Sequence, residues 1–451
     1  MASRVLGWAL LATVVFAPWA FGSTQSWAIV TLGTLSCLCG GLAVVVRRVA
    51  QPVPDSTEAT LERWLIGALC LVPLYTLVGV LNASSVLDLT RYRLVPLPHV
   101  RWLPHSFDPR LGGWTVFRQL SLVSLFWAVR VWLLGGHRNR HSREGVLPRR
   151  HRQLGNVIVL NGLALALVAM AQYVDGSGYL LWLVKPAINQ YAFEQFGPFA
   201  YRTNGFAYLV LVWPVALALW AMWTNVARSG AVFGSGWRLF LLCSALMLAG
   251  ITFFWVSRLA WVVTAVVAAS AVLILMATGR RRRWRLLPLG VVLFVLSFAI
   301  AVNWTILAQR VEKVGWGSAE RVALMNAGWR MFRDNKVFGT GPGTFVAVYG
   351  NYRAPWASWQ THLHSDWLQS LAAYGVVGGV LVLAVVGLYC AVICRRRPGG
   401  VGFNVMALLF LGPLGCLAYA WVDFPLQLFS IQHLFTVVCA LVSTLRTQGE
   451  L

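Results

Sequence analysis

The chain is 451 residues long, 58% hydrophobic and only 11% charged, with a mean hydropathy of +0.68 and a formal charge of +23. A soluble domain carries roughly 25% charged residues, so this balance excludes an ordinary soluble protein, a disordered chain and a small disulfide scaffold. The 37 Lys+Arg fall between hydrophobic stretches, which reads as charge that fixes membrane orientation and not as a nucleic-acid surface.

A spanning helix needs about 20 apolar residues. In chain order such stretches fall near 5–22, 26–46, 64–81, 114–135, 155–174, 205–225, 239–257, 259–278, 286–305, 367–393, 403–421 and 425–445. The fold class is therefore all-α: a polytopic membrane protein with about 12 transmembrane helices, a single integral membrane domain over 1–451. The first stretch follows Arg4 like a secretion signal, but Trp19 and Phe21 make a poor cleavage site, and it is read as a retained span. Basic residues follow every second span: Arg47 and Arg48, Arg138 to Arg152, Arg228 and Arg238, Arg280 to Arg285, and Arg395 to Arg397. With both termini cytoplasmic, about 21 of the 37 basic residues lie in short inner segments, which is the positive-inside asymmetry. The eight cysteines form no Cys-x-x-Cys pair, and no structural disulfide is expected.

The opposite face carries segments 82–113, 175–204 and 306–366, the last a large segment between the ninth and tenth helices. Loops of that length usually hold function. Within it, Ser318 to Asn335 is amphipathic, with Val322, Met325, Trp329 and Phe332 on one face and Arg321 near its edge. An arginine turned toward a packed face needs an anionic partner; the alternative is a snorkelling surface arginine. The glycine string Gly339-Thr340-Gly341-Pro342-Gly343 has no Gly-Lys-Ser/Thr after it and reads as a tight turn, with glycines that let backbone approach a ligand.

His362 and His364 stand just before the tenth span, with Ser365 and Asp366 following. A histidine is largely neutral at pH 7 and can accept a hydroxyl proton, or it can simply bond a loop carbonyl. A zinc site from this i, i+2 pair lacks an obvious third ligand. Arg202 before the sixth span and Arg258 in the hairpin between the seventh and eighth either snorkel or join Arg321 in a basic pocket suited to a diphosphate. No Asp-x-Asp pair is at hand to hold a divalent metal, so arginines would carry that charge. Arg118 and Arg130 look intramembrane.

These residues have a pattern. His364-Ser365, nine residues, then Gly375-Val376-Val377-Gly378 resembles the signature of bacterial O-antigen ligases. Arg321 with Trp329-Arg330-Met331-Phe332, Asn335 and the 339–345 glycine string is similar to that family's central motif. Ser257-Arg258 resembles its Ser-Arg turn, although Leu259 stands where glycine is common, and Arg202 with Asn204 resembles the stretch before its mid-chain span. The resemblance covers about 195–380.

The resemblance implies a GT-C-type, metal-independent, inverting glycosyltransferase of the bacterial inner membrane, with no cofactor and with its site and the 306–366 segment facing the periplasm. Its donor would be an undecaprenyl-diphosphate-linked glycan and its acceptor a hydroxyl of lipid A-core. His364 would be the catalytic residue, and Arg258, Arg321 and, less directly, Arg202 the diphosphate binders. His362, Asp366, Arg330, Asn204 and Arg118 are candidate supporting residues, and an acid supporting the histidine would be either Asp366 or Asp423. The expected partners are membrane lipids and these substrates, with no nucleic acid, and the expected state is a monomer. An O-antigen polymerase or a protein O-oligosaccharyltransferase of the same family is the alternative; a small-anion transporter is the rival from another class.

Overall fold

The computed structural model describes residues 1–49, 57–91, 93–135, 146–228, 235–255, 257–278, 314–394 and 403–445. Among these lie thirteen α-helices and one two-stranded antiparallel hairpin, β1 (Ser85–Asp88) with β2 (Arg93–Pro96). The helices are α1 (Ala2–Trp19), α2 (Ser26–Val49), α3 (Thr57–Leu81), α4 (Pro109–Leu134), α5 (Arg149–Asp175), α6 (Arg202–Arg228), α7 (Ser235–Phe254) and α8 (Arg258–Thr278). They continue with α9 (Val314–Asp334), α10 (Phe345–Tyr349), α11 (Asp366–Cys394), α12 (Phe403–Val422) and α13 (Phe429–Ser443).

Ten of them are long and apolar enough to cross a membrane: α1 to α8, α11 and α12. The chain is thus an all-α, multi-pass membrane protein. The stretch 425–445 forms the shorter apolar helix α13, because a 3-10 turn at Pro425–Gln427 takes up its first residues. The stretch 286–305 lies outside the described residues, as do Arg280 to Arg285 and Arg395 to Arg397.

Burial separates the helices by role. α6 is apolar on all sides, and 94% of its spanning window is buried, as expected of a helix enclosed by others. It packs against α5, α7, α8, α12 and α13. α11 is more apolar still, yet only 11% of its window is buried, so Val377, Val380 and Leu383 face outward, toward lipid. Several polar groups inside the bundle are paired, whereas both ring nitrogens of the buried His433 have no hydrogen-bond partner. Asn161 accepts from Trp19 Nε1 at 2.8 Å and donates toward Tyr208 Oη at 3.2 Å. Arg130 meets Glu62 of α3 at 2.8 Å and donates to Ser443 of α13, so its acid comes from another span.

The loop-rich face has a small core of its own, built from Leu324, Ala327, Met331, Phe345, Val348 and Leu363. Here the packed face of α9 differs from the one read off the sequence: Val322 and Trp329 are exposed, while Leu324, Ala327, Gly328 and Met331 are buried. The cause is close approach. A Cβ at Gly328 would stand 2.5 Å from Leu363 Cδ2, so the face that turns inward is the one on which Ala327 and Gly328 let Leu363 approach between Leu324 and Met331.

The glycine turn also does something other than admit a ligand. α11 is broken at Gly375 (φ 62, ψ −166), and residues 336–341 enter the break. A regular helix would pair Val376 N–H with Ala372 O and Val377 N–H with Ala373 O. Instead, Val376 and Val377 donate to Lys336 O (2.8 Å) and Val337 O (3.1 Å), while Ala372 O and Ala373 O accept from Thr340 and Gly341, each at 3.0 Å. Tyr75 Oη sits over the junction, 2.8 Å from both Phe338 O and Tyr374 O. Gly339 and Gly375 pass so closely that a Cβ on Gly375 would lie 2.5 Å from Gly339 N.

Candidate active site

The segment 362–365 is positioned by that junction and by the start of α11. Leu363 is fully buried in the small core, and its N–H donates to Gln369 Oε1 at 2.8 Å. Ser365 precedes the helix, and its Oγ accepts from Leu368 N–H at 3.4 Å, the position where Ser or Asn is favoured as a cap. Between them His364 takes a left-handed backbone, φ 47, an arrangement costing about 1–3 kcal/mol for a non-glycine residue.

That conformation turns the ring to Asp423 at the end of α12. His364 Nδ1 lies 3.2 Å from Asp423 Oδ1, which also accepts from Phe424 N–H at 3.0 Å. Asp423 is 1% exposed and its Oδ2 has no hydrogen-bond partner. A carboxylate at Nδ1 holds the proton there and leaves Nε2 as the ring's acceptor. His364 and Arg321 line one cavity of about 130 Å³ with Glu320, Leu324, Tyr349, Ser358 and Gln360. Glu320 bonds Ser358: its Oε1 accepts from Ser358 N–H at 3.1 Å, and the Ser358 hydroxyl first, then this N–H, hold the carboxyl below its ordinary range.

Aromatic rings close the other side. Phe424 contacts His362 and His364, each with centroids 4.8 Å apart, and stacks on Tyr201 at 5.9 Å. Burial, and next the charge of Asp423, raise the Tyr201 phenol, while its bond to Thr203 and then Arg321 and Arg202 work the other way. Tyr201, Asp423, Arg321 and Arg202 therefore share one neighbourhood. Arg202 donates to Phe193 O at 2.7 Å, and Asn204 is buried with its N–H on Tyr201 O.

The remaining sequence candidates have other settings. Asp366 does not touch His364; it receives Leu426 N–H at 2.7 Å and Gln427 Nε2 at 2.6 Å, tying α11 to the turn before α13. His362 is held neutral by burial, then by Arg118 and His364, with its pKa lowered to about 4. Arg118 donates to Gln427 O (2.7 Å) and Gln432 Oε1 (2.8 Å) within the bundle. Arg330 donates to Tyr352 O and lies on the far side of α9. Arg258 is the exposed first residue of α8 and does not line the His364 cavity. Sequence reading passed over Tyr201 and Phe424, and it did not decide between Asp366 and Asp423, since 59 residues separate the histidine from its acid.

The family model described as O-antigen ligase matches residues 239–383. The matched stretch takes in Arg258, Arg321, the glycine turn, His364 and the Gly375 break, and leaves out Arg118, Arg202 and Asp423. No curated protein matches the chain.

Proposed function

We propose, from the match of residues 239–383 to the O-antigen ligase family model, that this chain is a membrane-embedded glycosyltransferase that moves a glycan from undecaprenyl diphosphate to a hydroxyl of lipid A-core. The reaction runs at the periplasmic face, inverts the anomeric centre and needs no metal. The observation that supports it best is the His364–Asp423 pair opening on a cavity that Arg321 shares.

In this mechanism the acceptor hydroxyl attacks the anomeric carbon on the side opposite the diphosphate. His364 Nε2 takes the hydroxyl proton as the new C–O bond forms, and Asp423 stabilises the imidazolium through Nδ1. The bond from the anomeric carbon to the diphosphate oxygen breaks, and the charge left on that oxygen is met by guanidinium groups. Arg321 is nearest, and Arg202, which with Arg321 lies close to Tyr201, serves the distal phosphate. A guanidinium binds such oxygens as a fork and stays charged at any working pH.

The test is a purified chain given undecaprenyl-diphosphate glycan with lipid A-core, a second lipid-linked glycan or an acceptor protein, each separately. Lipid A-core should gain the sugar. His364→Ala should lower the rate by about 10²–10⁴-fold without unfolding the protein, and Arg321→Lys should weaken donor binding, since an ammonium lacks the fork. Wild-type turnover by the first variant would remove His364 as base. Sugar appearing only on another acceptor would reassign the substrate.

A further inference from the structure

The loop between α5 and α6 presents a rigid apolar surface that the transfer mechanism does not use. Trp182, Leu183, Val184, Ile188, Tyr191 and Phe193 are all exposed, Leu183 and Ile188 by more than 70%. Outside a helix or sheet such a cluster ordinarily folds back on itself. Here the backbone prevents it.

Leu181, Trp182 and Asn189 hold left-handed conformations, with φ between 52 and 58. The buried Gln195 donates to both Gly178 O (2.8 Å) and Asn189 O (2.7 Å), and Gln172 donates to Tyr179 O (2.6 Å). Leu180 and Val184 exchange backbone hydrogen bonds across the tip. Apolar side chains are thus held outward while the carbonyls of Gly178, Tyr179, Leu180, Val184 and Asn189 are paired on the protein side, which lowers the cost of bringing this irregular chain against an apolar medium.

We propose that residues 179–193 form a wedge seated in the hydrocarbon of the bilayer leaflet at the loop-rich face. The occupant follows from position. The loop leaves a spanning helix at Asp175 and rejoins one at Arg202, so both of its ends stand at the membrane boundary. Tyr, Trp and a single Lys185, whose ammonium lies 5.9 Å from the Tyr179 ring, are the residue types of that boundary. An interfacial apolar face reaches roughly 5–10 Å into the headgroup and acyl region. The wedge is joined to the candidate site: Phe193 O accepts from Arg202, whose neighbour Tyr201 stacks on Phe424 against His364. Lipid chains around it therefore border the cavity mouth, whatever reaction occurs there.

The test uses the full chain with its exposed Cys70, Cys243, Cys390 and Cys394 replaced by alanine. Leu183→Cys and Ile188→Cys, separately, receive an environment-sensitive fluorophore and are reconstituted in phosphatidylcholine–phosphatidylglycerol vesicles. Arg91→Cys, in the exposed turn between β1 and β2, is the aqueous control. Labels at 183 and 188 should be quenched several-fold more by acyl-brominated lipid than by iodide present on both sides, with the order reversed at 91. Iodide quenching at 183 and 188 equal to that at 91 overturns the proposal. Protection from both quenchers also overturns it, since protein would then cover the wedge.

Discussion

His364 sits in a backbone region that few non-glycine residues occupy, and the neighbouring packing explains why it stays there. Leu363 is anchored in the small core on one side and Ser365 caps α11 on the other, so the single residue between them absorbs the turn. The result is a ring whose Nδ1 faces a buried carboxylate. Asp423→Asn keeps an oxygen for Nδ1 and for Phe424 N–H but removes the charge that stabilises the imidazolium. The expected outcome is about 10–100-fold lower kcat with the KM for donor unchanged; equal kcat would show that Asp423 only fills space.

His362 gives a residue-scale prediction of opposite character. Its folded pKa, about 4, is below the ordinary 6.5, so between those values the unfolded chain binds the additional proton. Stability therefore rises with pH through this window, is complete above about 6.5, and is lost as pH falls toward 4. His362→Gln should flatten that part of the Tm-against-pH curve. An unchanged slope in the variant would place the titration elsewhere.

At the scale of the element, hydropathy alone located most of the bundle, because lipid demands long, apolar, internally bonded helices. It could not locate what distinguishes one apolar helix from another. α6 and α11 both read as spans, yet one is enclosed and the other faces outward. The inward face of α9 was hidden for a related reason: Ala327 and Gly328 carry little hydrophobic signal, and only the nearness of Leu363 shows that they are packed. The histidine and arginine motifs were legible as local strings. Tyr201 and Phe424 were not, and Asp423 could not be told from Asp366, since their relation to His364 exists only after α6 and α12 have come together.

The spacing from His364 to Gly375 gains a physical meaning in the broken helix. Gly375 has φ 62, and an added Cβ would fall 2.5 Å from Gly339 N and Val337 O, both backbone atoms that cannot swing aside. Gly375→Ala should therefore expel the 336–341 segment from the break, forfeiting four backbone hydrogen bonds and the register of the 362–365 segment about three turns earlier. Both Tm and transfer rate should fall. Tyr75→Phe, which deletes only the hydroxyl over the junction, should show a smaller loss of about 1 kcal/mol. Native Tm and rate in Gly375→Ala would mean that the break has no part in holding the histidine.

Across the whole molecule, the two ends of the bundle do different work, and one substitution can separate them. The candidate site gathers where α6 and α11 begin and α12 ends. The Arg130–Glu62 pair lies toward the opposite ends, near the start of α3 and the finish of α4 and α13. Arg130 is 2% exposed, so deleting its acid strands a charge, a change that typically costs about 3–5 kcal/mol. Glu62→Leu should therefore lower resistance to denaturant sharply. Adding Arg130→Met should recover most of the loss, because a buried ion pair replaced by matched apolar side chains is often neutral. In both variants the transfer rate per folded molecule should remain that of the wild type. A rate that falls in step with Glu62 removal, at constant folded fraction, would show that the far end of the bundle is coupled to the histidine pocket.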